Sequence, residues 1–262
     1  MKKFAFVLFF LTHFVHAAYV GNPQSPDMPQ TISFTNVQAD KYWITADLGY
    51  EKTKVFDKYL QKSFLGQLQK VETSKIYANY AVLTATLFSV VDLYAKVGEI
   101  MPQLEYLDTV AGFGTEMALA PRGVPAWAVG GRVLLFNIAN TSLGLNGSYQ
   151  QSDVRTLTLY PTATPANISL QNFQMYEYHV GIALSHQIKY FIPYMGTRYY
   201  RTRIKLKNSL LTSTQAPITF RNQRNWGLYL GCTLVSPKYF LLNFEGRFID
   251  ESAFTATAEV RF

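Results

Sequence analysis

Cysteine is almost missing from this chain. Cys232 stands alone among 262 residues, so no internal disulfide can form. A small exported domain often needs such cross-links. A sheet that closes on itself does not, because its ladder leaves no free edge. Charge is also scarce, at 16% of residues, against about 25% in typical soluble chains. Histidine is rarer still: past residue 17 only His179 and His186 occur, seven positions apart. On one strand that spacing puts them on opposite faces, where they cannot share a metal or a nucleophile. Ser185 adjoins His186 in sequence and so faces away from it. Neither a glycine-rich phosphate loop nor a Cys/His metal pattern is present. Enzymatic chemistry and a bound cofactor or metal are therefore not expected.

Long apolar runs are missing too. The longest after the N-terminus, Tyr80 to Val91, contains Thr84, Thr86 and Ser89 and is followed at once by Asp92. It falls short of the roughly 20 apolar residues of a membrane helix. The N-terminus differs: Met1-Lys2-Lys3 is basic, Phe4 to Leu11 is apolar, and Val15-His16-Ala17 ends on a small residue. This pattern is expected of a secretory signal peptide over 1–17, a buried helix being the blander alternative. Loss of Lys2 and Lys3 leaves 22 basic against 17 acidic side chains, a net charge of +5 on 245 residues. The pI near 9.3 does not point to nucleic acid, given an export signal. The basic cluster Arg198 to Lys207 is expected in a solvated loop or a rim facing lipopolysaccharide.

What the chain has is aromatics, 15% of residues with 18 Tyr and 19 Phe, and two-residue alternation. At the C-terminus Phe254, Ala256, Ala258, Val260 and Phe262 face one way, and Thr255, Thr257, Glu259 and Arg261 the other. One oily and one polar face suit a barrel wall between lipid and water. Tyr42 to Glu51 alternates with Tyr at both ends of its apolar face, as at two membrane interfaces. Further strands are expected over Val55–Gln67, Ile76–Leu87, Val91–Gly98, Trp127–Leu135, Leu143–Gln150, Val154–Tyr160, Tyr176–Ser185, Phe191–Tyr200, Trp226–Val235, Tyr239–Ile249 and Ala253–Phe262. Pro102–Ala120 is ambiguous. Pro161–Asn172 reads as a polar loop and Arg201–Arg221 as a long basic one. Pro121-Arg122-Gly123, Ser236-Pro237-Lys238 and Asp250-Glu251-Ser252 read as turns, and so does the sequon Asn140-Thr141-Ser142.

The expected fold is all-β: a transmembrane antiparallel barrel of about 12 strands, with 10–16 allowed. It would occupy 40–262, after a signal peptide at 1–17 and a lead-in at 18–39. The candidate inner wall carries Asp47, Asp92, Lys96, Arg132, Glu177, Arg198, Glu245, Arg247, Glu259 and Arg261, five acids and five bases. On the lipid side each would cost roughly 2–4 kcal/mol at mid-membrane. A wet lumen or a salt-bridged plug accommodates them, and both remain open at this point.

These residues resemble a known family. Asn243-Phe244-Glu245-Gly246-Arg247-Phe248-Ile249-Asp250-Glu251, running on to Val260-Arg261-Phe262, is similar to the C-terminus of the chlamydial major outer membrane protein. Leu48-Gly49-Tyr50 with Val55-Phe56-Asp57-Lys58-Tyr59-Leu60 resembles its V-G-Y-Y and V-F-D-R-V-L segments. Ala126-Trp127-Ala128-Val129-Gly130-Gly131-Arg132 is similar to its A-W-S-V-G-A-R. Ile182-Ala183-Leu184-Ser185, Pro193-Tyr194-Met195-Gly196 and Gly21-Asn22-Pro23 follow the same order. The resemblance implies an outer-membrane porin of a chlamydia-like bacterium, a homotrimer passing small solutes and ions. From the residues themselves, the aromatic Phe262 closing the last alternating strand is expected to be the signal read by the barrel-assembly machinery, with outer-membrane lipid and lipopolysaccharide as neighbours. This chain is shorter than typical members, and its single cysteine rules out carrying over their envelope cross-linking. The alternative is a structural or adhesive barrel with a plugged lumen and ligand-binding surface loops.

Overall fold

The structure, a computed structural model, describes residues 44–262 apart from 65–66, 72, 89, 109–114, 120–122, 155–156, 162–167, 171, 208–217, 237–239 and 262. The expected signal peptide, the lead-in and Phe262 lie outside the described residues, and Arg261 is described as backbone only. In chain order the strands begin with β1 (Ile44–Lys58), β2 (Leu60–Phe64), β3 (Gln67–Lys70), β4 (Thr73–Leu87) and β5 (Val91–Asp108). There follow β6 (Thr115–Leu119), β7 (Val124–Ile138), β8 (Thr141–Val154), β9 (Leu157–Pro161), β10 (Ile168–Leu170) and β11 (Asn172–His186). The last are β12 (Phe191–Lys207), β13 (Ile218–Asn222), β14 (Trp226–Val235), β15 (Phe240–Phe248) and β16 (Glu251–Arg261).

Ten of these close a ring, each antiparallel to its neighbours: β1, β4, β5, β7, β8, β11, β12, β14, β15, β16 and back to β1. Closure removes the edges of these strands and satisfies their backbone ladders, as a bilayer requires. At one end, the turn end, β4–β5, β7–β8 and β11–β12 are joined tightly. Phe88, Ala139 and Lys189 take φ of 52°, 53° and 55° there, the left-handed step that matches strand twist in tight hairpins. At the loop end the connections carry the six short strands. β6, β9 and β10 extend β5. β13 bridges β12 and β2, with β3 on β2.

The last arrangement follows from unequal strand lengths. β12 has 17 residues, whereas β14 and β15 have 10 and 9. β12 therefore pairs β14 only as far as Tyr199↔Trp226 and turns to β13 from Arg203↔Arg221. Asn222 fills the gap. Its Oδ1 accepts from the Thr202 N–H at 3.0 Å, and its amide donates to the Tyr200 carbonyl at 3.0 Å.

Several sequence expectations need correction. Val55–Lys58 is not a separate strand but the end of β1, reached through a bulge between Val55 and Asp57. β5 runs through Pro102 to Asp108. The polar loop after residue 161 contains β10. Arg201–Lys207 is strand, not basic loop, and β13 occupies part of the rest. The turn before the last strand is Ile249–Asp250, and Glu251 already belongs to β16. The ring of ten lies within the expected 10–16.

Candidate functional site

Alternation sorts every ring strand into an inner and an outer face. The outer face of the middle band is apolar and uncovered: Leu48 is 52% exposed, Val97 63% and Leu230 55%, with Leu83, Leu93, Val129, Ile182 and Val260 alongside. Bare apolar surface of this extent is untenable in water and is what a bilayer covers. Towards the loop end it stops at Tyr50, Trp127, Tyr149, Tyr178, Tyr199 and Trp226, two pairs of which touch: Trp127–Tyr149 at 5.2 Å and Tyr199–Trp226 at 5.5 Å between ring centroids. Amphipathic rings at that level mark a membrane interface. The barrel therefore spans the membrane through its strands.

The inner face is arranged in layers of buried side chains. Nearest the loop end is an apolar layer, with Leu60, Ile76, Ile100, Leu104, Val124, Phe173, Met175, Ile204, Leu206 and Phe220 all buried in one cluster. Below it lies a layer of ion pairs. Lys58 Nζ meets Glu177 at 2.5 Å and Glu251 at 3.4 Å. Arg198 meets Asp250 at 2.5 Å and Glu251 at 3.0 Å. Arg247 meets Glu251 at 2.8 Å and Glu245 at 3.6 Å. Lys96 meets Glu51 at 2.6 Å. Glu251 thus holds three cations from β1, β12 and β15 and ties the shortest wall of the barrel to the rest. Towards the turn end Arg132 pairs with Asp92 at 3.1 Å, beside buried Asp47, Thr84, Ser142, Asn146, Asn243 and Glu259.

Three tyrosines close the wall itself. Tyr94, Tyr194 and Tyr229 lie against Gly130, Gly231 and Gly196, their register partners on the next strand. Any Cβ on these glycines would enter the tyrosine ring. A ring inside the wall therefore requires glycine opposite it, and the rings occupy lumen that smaller residues would leave to water.

Nine of the ten inner-wall candidates are buried on the inner face: Asp47, Asp92, Lys96, Arg132, Glu177, Arg198, Glu245, Arg247 and Glu259. The tenth, Arg261, lies in β16 with its side chain outside the described residues. The structure joins Arg132 with Asp92 and Arg247 with Glu245, and adds four partners that sequence reasoning left out: Glu51, Lys58, Asp250 and Glu251. Glu51 was signalled by its alternation with Asp47 and Gly49. Lys58 was hidden by the bulge, which turns it inward against simple alternation. Among the described residues, a cavity of about 30 Å³ beside Glu51, Lys58, Glu177 and Arg247 interrupts this packing. That is room for about one or two waters.

His179 is buried in the wall and His186 is exposed near the turn end, where Nδ1 lies 2.9 Å from Thr141 Oγ1. Ser185 is buried on the face opposite His186. Cys232 is half-buried on the outer face, in line with Leu228 and Leu230.

No family model matches the chain. Among solved structures, it is similar to the outer membrane protease OmpT of Escherichia coli at 12% identity and a TM-score of 0.38, covering 88% of this chain and 97% of that one. It is also similar to the translocator domain of the autotransporter NalP of Neisseria meningitidis, at 9% identity and a TM-score of 0.44 over 89% of this chain and 91% of that one. The toluene transporter TbuX of Ralstonia pickettii gives 11% identity and a TM-score of 0.34 over 95% and 96%. None of the three carries an activity across to this chain.

Proposed function

We propose that the chain is a bacterial outer-membrane barrel with a closed lumen. It is multi-pass and placed there after signal-peptide cleavage, and it serves as a structural or adhesive surface protein rather than an open diffusion porin. The observation that carries this reading is the ion-pair layer centred on Glu251, capped by an apolar layer. A porin lumen needs a continuous water-filled path along its length, whereas here each inner cation with a described side chain in that layer faces a buried carboxylate. The β13–β2–β3 and β6–β9–β10 extensions at the loop end then form the surface offered to partners. Kinship with the chlamydial major outer membrane protein, trimer formation and recognition of Phe262 by the assembly machinery belong to the same proposal.

One observation favours the porin reading as a second. The small cavity lies between Lys58–Glu177 and Lys96–Glu51, so parting those pairs would open a charged path. Liposome swelling in small neutral sugars separates the two. A closed barrel leaves the swelling rate at that of protein-free vesicles; swelling that scales with inserted protein and falls with sugar size would establish the porin.

A further inference from the structure

Between Glu177 and Glu245 the sequence holds no Asp or Glu, yet nine Lys or Arg. Of those with described side chains, only Arg198 joins the inner ion pairs. The outer face of β12 above the aromatic level carries Arg201, Arg203 and Lys205 at two-residue spacing, so they stand in one column, about 6.7 Å from each to the next. On β13, Arg221 lies directly opposite Arg203. On β11, Tyr178 lies opposite Arg201 and accepts a hydrogen bond from its guanidinium at 3.3 Å, and Tyr176 lies opposite Arg203. One step nearer the membrane, Tyr199 packs edge-to-face on Trp226.

This grouping has no internal neutralisation. Like charges directly opposite across strands repel, and among the described residues no carboxylate lies within ion-pair distance of Arg203, Lys205 or Arg221. In the same band Asp153, two strands away on β8, accepts from Gln174 at 3.2 Å. A soluble surface would intersperse acids here. Three exposed guanidiniums just outside an aromatic girdle instead match a doubly charged oxyanion at headgroup depth. Arginine binds phosphate in a planar, bidentate manner, and a tyrosine–tryptophan step below it fits acyl chains.

We infer that Arg201, Arg203 and Arg221 bind a phosphate of a phosphorylated glycolipid in the outer leaflet, with Lys205 reaching its outer sugar or second phosphate and Tyr199 and Trp226 seating its chains. The inference rests on the outer-membrane reading above. It makes this sector of the wall, rather than the lumen, a lipid-recognition site.

The test uses the full chain folded in zwitterionic nanodiscs, with diphosphoryl lipid A as probe and heat-modifiable gel mobility as the check of folding. Tight binding of diphosphoryl lipid A, by native mass spectrometry, is expected. The variant R201Q/R203Q/R221Q should fold equally and bind about tenfold or more weakly, because the three solvent-screened charge-assisted hydrogen bonds lost are together worth at least about a decade in affinity. Dephosphorylated lipid A should bind the unmodified chain as weakly. K52Q/K54Q, which removes two outer cations from β1, should bind as the unmodified chain does. Equal binding by the triple variant, an equal loss with K52Q/K54Q, or equal competition by inorganic phosphate at the same concentration would each overturn the inference while leaving the barrel in place. Failure of the chain to enter nanodiscs at all would overturn the membrane reading on which it rests.

Discussion

Removing the Arg198 guanidinium probes the lumen where it is most tightly tied. Arg198 is 1% exposed and contacts Asp250 at 2.5 Å and Glu251 at 3.0 Å; Asp250 is fully buried. At an effective dielectric near 20, each contact is worth roughly 5–7 kcal/mol of Coulomb attraction before desolvation is subtracted. Glu251 keeps Lys58 and Arg247. Asp250 keeps no described cation at ion-pair distance, only the more distant Arg247, so most of the loss falls on it. Arg198→Met preserves much of the stem volume beside Tyr200 and should lower stability by about 3–5 kcal/mol, the usual cost of orphaning a buried charge. Adding Asp250→Asn removes the orphan, so the double variant should recover about 2 kcal/mol or more of that loss. Urea titration in lipid vesicles, followed by tryptophan fluorescence, reads both, because Trp127 and Trp226 sit on the lipid-facing wall. If Arg198→Met stayed within about 1 kcal/mol of the parent, or if the double variant were no better than the single, the network would not be the tightly paired plug described.

Ile249 takes φ of 79° at the β15–β16 turn, a conformation a β-branched residue adopts only under strain. Its side chain is largely exposed, so Ile249→Gly should raise stability by about 1 kcal/mol in the same titration, and a loss would contradict the strain. Asn222→Ala leaves the Thr202 N–H and the Tyr200 carbonyl without that side chain in a buried setting. It should cost about 1–3 kcal/mol, with faster hydrogen exchange confined to the β12–β13 junction. Gly231→Ala and Gly196→Ala each drive a methyl into a tyrosine ring and should cost about 1–3 kcal/mol. Combining Gly231→Ala with Tyr194→Ala should relieve only the ring's share of the clash, since the Phe244 carbonyl oxygen lies as close to the new methyl as the ring does.

Much of this fold is legible in the sequence because a barrel wall imposes one rule, and the residues obey it. Glu177 to Ser185, Asn243 to Arg247 and Thr255 to Glu259 alternate inward as read, since lipid on one side tolerates no slip in register. Reading fails where a local irregularity or a distant partner decides. The bulge at Val55–Asp57 reverses the alternation and brings Lys58 inside. Arg201–Lys207 resembles a loop by charge, yet it is strand, because above the bilayer an outer face is free to be basic. Asp250 and Glu251 look like turn chemistry and become the anchor of the lumen only when Arg198, about 50 residues earlier in the chain, folds against them. Composition announces inner charges but not their pairing, and pairing is what decides between a wet lumen and a sealed one.

Single-channel recording of the purified chain in a planar bilayer, under a salt gradient, tests the proposed closed lumen most directly. The proposal predicts inserted protein without discrete current steps, whereas Arg198→Met should admit transient ones. Stable, repeated steps with a defined reversal potential from the unmodified chain would contradict it.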